Sequence, residues 1–160
     1  MMVLLSFSGL QSCNYSFTGA SISPDVKTIS IQYFPNYASL GPPYLSQSFT
    51  ESLKDLFIRQ TSLTLVAKNG DLQFEGQISG YATAPVAIQA DDRAASNRLT
   101  MTVQVRFVNT KDETQNFETS FSRFEDYNSS QDLAQVEEEL IRKINDQLVQ
   151  DIFNKSVSNW

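Results

Sequence analysis

From Leu99 to Val108 the chain alternates without a break, with Leu99, Met101, Val103, Val105 and Phe107 set against Thr100, Thr102, Gln104, Arg106 and Val108. Successive side chains of an extended chain point to opposite faces, so this segment predicts a strand with one buried and one wet face. One-sided strands of this kind belong to antiparallel sheets whose second face is solvated. Asn109 to Thr114 reads as a turn, and Phe117, Thr119 and Phe121 continue as a paired strand ending near Tyr127. Upstream, Leu72, Phe74, Gly76, Ile78, Gly80 and Ala82 form another inward set, opposed by Gln73, Glu75, Gln77, Ser79 and Tyr81. Pro85 bends or ends that strand at an edge. Gly76 and Gly80 leave room for bulky neighbours, expected to be aromatic side chains of a helix packed above them. Ser62 to Val66 is short and β-branched, and Asn69-Gly70-Asp71 supplies residues that tolerate left-handed backbone, so a hairpin is predicted between the two. A first strand lies within residues 26–34, with Ile29, Ile31 and Tyr33 on one side.

Two segments follow the helical period instead. Leu45, Phe49, Leu53, Leu56 and Phe57 recur every three or four residues, and Ser48 with Glu51 forms a capping box if the helix begins there. The last segment carries Leu133, Val136, Leu140, Ile141, Ile144, Leu148, Ile152 and Phe153 on one stripe, with Ser129 or Ser130 as its N-cap. Glu138 with Arg142 and Glu139 with Lys143 have the i,i+4 spacing and order of a solvated helix face. The order of elements predicts an α+β fold, two helices packed on one face of a four- to five-stranded, mostly antiparallel or mixed sheet. The other face carries Thr, Gln and Ser, with Tyr81 and Arg106.

Composition narrows the function classes. A chain of 160 residues closes one hydrophobic core without staples. Asp and Glu outnumber Lys and Arg by 18 to 12, and no basic stripe exists, which argues against nucleic acid as a partner. The chain has no histidine and one cysteine, which removes the commonest general base, the commonest metal ligand and any internal disulfide. No phosphate loop, metal-spaced ligand set or nucleophile with a nearby base appears, so neither an enzyme nor a cofactor is expected. Asp91-Asp92 and Glu125-Asp126 read as loop solubility, with an oxygen-ligand calcium site in the Asp91 loop as the alternative. No apolar run reaches the roughly 20 residues that span a bilayer, so any membrane link is covalent or peripheral.

Residues 1–12 are apolar and rich in small residues, suited to the core of a signal peptide, and the lone thiol follows directly. Leu10-Gln11-Ser12-Cys13 resembles a bacterial lipobox, which implies an acylated Cys13 at the mature N-terminus. Two or three acyl chains, at about 0.8 kcal/mol per buried methylene, anchor a protein stably. Gln11 is larger than the usual residue there, and no Lys or Arg precedes the apolar run. The second departure raises the expectation of a start codon further upstream.

Cys13-Asn14-Tyr15-Ser16-Phe17-Thr18-Gly19-Ala20-Ser21-Ile22, with Lys27-Thr28-Ile29-Ser30-Ile31 and Phe34-Pro35-Asn36, resembles the start of LptE-family lipopolysaccharide-assembly lipoproteins. Asp71-Leu72-Gln73-Phe74-Glu75-Gly76, Asn97-Arg98-Leu99-Thr100, Ile152-Phe153-Asn154 and the terminal Trp160 are similar to one branch of that family. The resemblance implies a signal peptide over 1–12, a lipidated segment over 13–25 and an LptE-like domain over 26–160. It also implies an outer-membrane lipoprotein that plugs the lumen of an LptD-type β-barrel and helps insert lipopolysaccharide. Some members are basic and touch the anionic glycolipid through Arg and Lys, whereas this chain has a net charge of −6. The candidates for such contact are Arg93, Arg98, Arg106 and Lys111, chosen for their loop or polar-face positions. The alternative reading is an unrelated periplasm-facing lipoprotein serving as a binding or scaffold module.

Overall fold

The computed structural model describes residues 22–86 and 95–157. Cys13, the Asp91 loop with Arg93, and Trp160 lie outside the described residues. In chain order the elements are β1 (Thr28–Ile31), α1 (Leu45–Gln60), β2 (Thr64–Leu65), β3 (Leu72–Val86), β4 (Ser96–Asn109), a 3-10 turn (Glu113–Gln115), β5 (Phe117–Asn128) and α2 (Leu133–Val157). The strands form one mixed sheet in the order β2-β1-β3-β4-β5. Both helices cover one face of it, which is the α+β arrangement read from the periodicities.

The inward residues of β4 are all fully buried, and so are Leu72, Phe74 and Ile78 of β3. All five apolar residues read onto α1 are buried, as are Leu140, Ile141, Ile144, Leu148, Ile152 and Phe153 of α2. A row of rings ties the layers together. Phe153 of α2 lies 5.0 Å from Phe57 of α1, which lies 4.9 Å from Phe74 of β3. Phe107 of β4 continues the row at 4.8 Å and Phe117 of β5 at 5.2 Å. Each such pair adds about 0.5–1.5 kcal/mol beyond its buried area.

The predicted hairpin is replaced by a different topology. β2 pairs parallel with β1, and β1 pairs parallel with β3, so β1 stands between the two strands expected to be neighbours. Parallel strands need a crossover, and α1 supplies it between β1 and β2. The chain then crosses β1 to start β3. Asn69 adopts the left-handed backbone expected of it, at φ 56°. Gly70 lies so close to β1 that a Cβ there would sit 2.5 Å from the Ser30 nitrogen. Its N–H donates to Ser30 Oγ at 3.2 Å, which accounts for a buried serine on a short central strand.

Two further assignments shift by one residue. Tyr33 was read as inward but is 61% exposed, while Phe34 is buried. β1 ends at Ile31, and the Phe34 N–H turns inward to Thr50 Oγ1 at 3.1 Å. Tyr81 was read on the polar face but is buried. A bulge between Ile78 and Gly80 absorbs one residue of β3 and flips every later side chain. The aromatic ring that fills the space over Gly76 comes from Phe34 in the β1–α1 connection rather than from a helix.

α1 takes the earlier of the two starts its sequence leaves open, whereas the start of α2 differs from expectation. α1 begins at Leu45, before the capping box, so Ser48 is free to accept from Asn145 Nδ2 of α2 at 3.0 Å, and Glu51 pairs with Lys54. At α2 the Ala134 N–H is satisfied by Asp132 Oδ1, not by Ser129 or Ser130. Of the two anticipated i,i+4 contacts, Glu139–Lys143 forms at 2.8 Å.

Candidate partner-binding surface

The face of β3, β4 and β5 turned away from the helices is built in cross-strand rows by the antiparallel register. Glu75, Arg106 and Glu118 share one row, and Gln77, Gln104 and Ser120 the next. Beyond the bulge come Gly80, Thr102 and Ser122, then Ala82, Thr100 and Phe124, then Ala84, Arg98 and Asp126. Polar side chains satisfy one another along these rows. Gln77 Nε2 donates to Gln104 Oε1 at 3.2 Å, and the Thr102 and Ser122 hydroxyls lie 3.0 Å apart. A shallow concavity of about 410 Å³ opens on this face, lined among others by Gln32, Tyr33, Gln77, Gln104 and Arg106. The short amides and hydroxyls of the face suit contact with another polar surface, and Phe124 is its exposed aromatic member.

The predicted cations do not gather into one site. Arg98 and Arg106 both stand on β4 facing the open side, eight residues apart, which is roughly 27 Å along a strand. Arg98 donates to both oxygens of Asp126, at 2.7 and 2.9 Å, with its guanidinium carbon 3.6 Å above the Phe124 ring. That hydrogen bonding raises the affinity of Arg98 for its proton and holds the Asp126 carboxyl below its usual range. Arg106 donates to Glu75. Lys111 sits in the turn after β4 with its Nζ 3.2 Å from Asp71 Oδ1. All three described candidates therefore already hold a carboxylate.

Asp71 is the residue that sequence reasoning passed over. Its carboxylate accepts from the Lys27 N–H at 2.9 Å, from the Thr28 N–H at 3.0 Å and from Thr28 Oγ1 at 2.9 Å. The Lys27 backbone bond leads these causes, with Thr28 and then Lys111 behind it, and together they hold the carboxyl far below the ordinary aspartate range. It clasps the segment entering β1 to the start of β3. No local motif announces this, because the partners are 40 or more positions away. The Glu75–Arg106 pair, by contrast, follows from the alternation once the register is known. Tyr81 is a buried donor to Glu137, at 2.5 Å, and burial with the nearby carboxylate pushes its hydroxyl well above the usual range. It ties β3 to α2 and does not open onto the polar face.

Among the described residues no helix is long and apolar enough to cross a membrane. Comparison with curated proteins gives no match. Among solved structures, the chain is similar to the minor lipoprotein of Acinetobacter baumannii at 15% identity and a TM-score of 0.54, over 81% of this chain and 91% of that one. It is similar to a hypothetical protein of Chlamydia trachomatis at 10% identity and a TM-score of 0.56, over 84% and 99%. A homologue of a neuraminyllactose-binding hemagglutinin from Helicobacter pylori gives 12% identity and a TM-score of 0.54, over 89% of each chain. At such identities these likenesses establish the fold alone. The family model described as LptE, lipopolysaccharide-assembly, matches residues 26–156, a span that takes in every strand and nearly all of the last helix. The two-helix, five-strand body therefore belongs to the LptE family of lipopolysaccharide-assembly proteins.

Proposed function

We propose that the protein is an outer-membrane lipoprotein, anchored through an acylated Cys13, that acts as plug and assembly partner of an LptD-type β-barrel in lipopolysaccharide transport to the outer leaflet. The observation that carries this reading is the family match over residues 26–156. The polar β3–β4–β5 face is compatible with it, because the lumen of a transmembrane barrel is itself polar. Residues 1–12 are the signal segment and 13–25 the tether, which from Cys13 to Ile22 reaches at most about 30 Å. The work is contact, not catalysis, and the family is one of assembly proteins. The alternative of an unrelated periplasmic scaffold loses its ground to the same match.

Glycolipid contact through Arg93, Arg98, Arg106 and Lys111 is the finer part of this proposal. The described three would have to exchange a carboxylate partner for a phosphate. Mild detergent extraction of the native envelope is expected to bring down a large β-barrel in near-equal amount, with lipopolysaccharide bound. Recovery of the protein as a free monomer would overturn the barrel reading. Lipopolysaccharide retained by the Arg93→Glu, Arg98→Glu double variant would remove those two residues from the contact.

A further inference from the structure

β5 ends the sheet, and among the described residues no strand pairs with its outer margin. Hydrogen bonding elsewhere fixes which main-chain groups that margin presents. Ile78 donates to Pro35 O and accepts from the Tyr37 N–H, both at 2.9 Å, so it bonds away from β4. Val103, directly opposite Ile78, therefore bonds toward β5 and exchanges with Phe121. The Ser129 N–H to Ala95 O bond, at 3.0 Å, continues the same odd-numbered set. The N–H and C=O groups of Glu118, Ser120, Ser122, Phe124 and Asp126 consequently point outward, and among the described residues none of them has a hydrogen-bond partner.

Twelve residues at about 3.4 Å each make this margin roughly 40 Å long. Edge strands are ordinarily guarded by proline, a bulge, shortness or inward-pointing charge. β5 contains no proline, and its register with β4 is unbroken. Charges screen only its upper part, where Arg123 reaches across to Asp151 and Glu125 to Gln147 on α2. Below it, Lys155 of α2 lies 5.1 Å from the centre of the Phe117 ring, and among the described residues the stretch from Glu118 to Ser122 has no polar side-chain link to α2.

The charge pattern specifies what would pair there. The row Glu75, Arg106, Glu118 alternates in sign across three strands. Arg106 is bound to Glu75, and among the described residues Glu118 has no ion pair. A strand added outside β5 continues the row, and opposite charge is the favourable choice at its position facing Glu118. A second copy of this chain cannot supply it. Two such edges pair antiparallel with even-numbered residues opposite one another, and the even-numbered residues from Glu118 to Asn128 include no Lys or Arg.

We propose that the β5 margin from Phe117 to Ser122 takes up a strand from a partner protein. The strand is an extended amphipathic segment with Lys or Arg opposite Glu118, small polar residues opposite Ser120 and Ser122, and apolar residues beside Phe117 and Phe121. Main-chain bonds supply the affinity of such strand addition and side chains the selectivity. The inference does not rest on the barrel reading, because a closed barrel has no unpaired strand to offer.

The test uses the full chain and a synthetic peptide of roughly eight residues that alternates Val with Thr and carries one Lys on the Thr side, beside a version with Glu in place of Lys. The Lys peptide is expected to slow amide exchange at Glu118, Ser120 and Ser122 by about tenfold at millimolar concentration. It is expected to bind about threefold more tightly than the Glu peptide, and Glu118→Lys to reverse that order. Ser120→Pro removes an outward N–H that β4 does not use and should abolish the protection while leaving the circular dichroism unchanged. Absence of protection at these three amides, or a peptide preference indifferent to Glu118→Lys, overturns the proposal. So does protection without peptide in a sample that sediments as a dimer, since the occupant is then a second copy.

Discussion

Asp71 gathers four hydrogen bonds and ion-pair contacts from three residues at two separate places in the chain, so its charge state is coupled to folding. A carboxyl whose folded affinity for protons is depressed stabilises the native state fully above its unfolded value and loses that contribution as pH falls through the folded one. The ordinary aspartate value is 3.8, and the native group titrates well below it. Asp71→Asn is therefore expected to lower the urea midpoint by a constant amount from neutral pH down to about 5, and the gap to the parent should close progressively below about 4. A gap independent of pH would mean that the side chain acts by shape alone. Tyr81 makes the complementary point. Its hydroxyl, buried and held by Glu137, binds its proton more tightly than an ordinary tyrosine, so it remains a donor across the range in which Asp71 changes charge.

At the scale of elements, α1 and α2 meet along a seam that holds a buried polar contact as well as apolar ones. Asn145 is 1% exposed, its Nδ2 donates to Ser48 Oγ, and its Oδ1 has no partner among the described residues. Removing one member of such a pair strands the other, whereas replacing both with apolar groups can be neutral or favourable. Ser48→Ala is expected to cost about 1–2 kcal/mol, and Ser48→Ala with Asn145→Leu to recover it, by chemical denaturation. The seam also shows how far the sequence could be read. Its apolar members were evident from a 3.6-residue period, and β4 and the start of β3 from a two-residue one, because each pattern is written along a single element. The polar face with Gln77, Gln104, Arg98 and Arg106 followed from the same alternation. What stayed hidden depends on partners distant in sequence. Asn69 and Gly70 bend the chain as their conformational freedom requires, yet nothing local says that the bend carries it across β1 instead of back along β2. The bulge at Ser79 likewise leaves Tyr81 looking like a polar-face residue until the register with Met101 is known.

For the whole molecule, β1 starts beside Asp71 and the turn holding Lys111, so residues 22–27 enter at the end of the sheet where β3 begins and β4 finishes. From that end the β3–β4 ribbon runs for roughly 45–50 Å, well past the short strands beside it. Among the described residues the core begins at Val26, with Ile22 packed against its rim, and a chain lacking residues 1–21 is expected to unfold cooperatively at the same midpoint as the full protein. A lower midpoint by calorimetry would show that residues 1–21 contribute to the fold. The crossing of β1 by the segment before β3 has a mechanical consequence. Tension arriving through residues 22–27 and directed away from the body runs along the axis of a strand flanked on both sides, by β2 through the Thr64 and Val66 N–H groups and by β3 through Phe74 O. Those bonds are loaded in shear and must rupture together, so a pull on residues 22–27 meets the joint resistance of both flanking strands instead of opening the sheet one bond at a time.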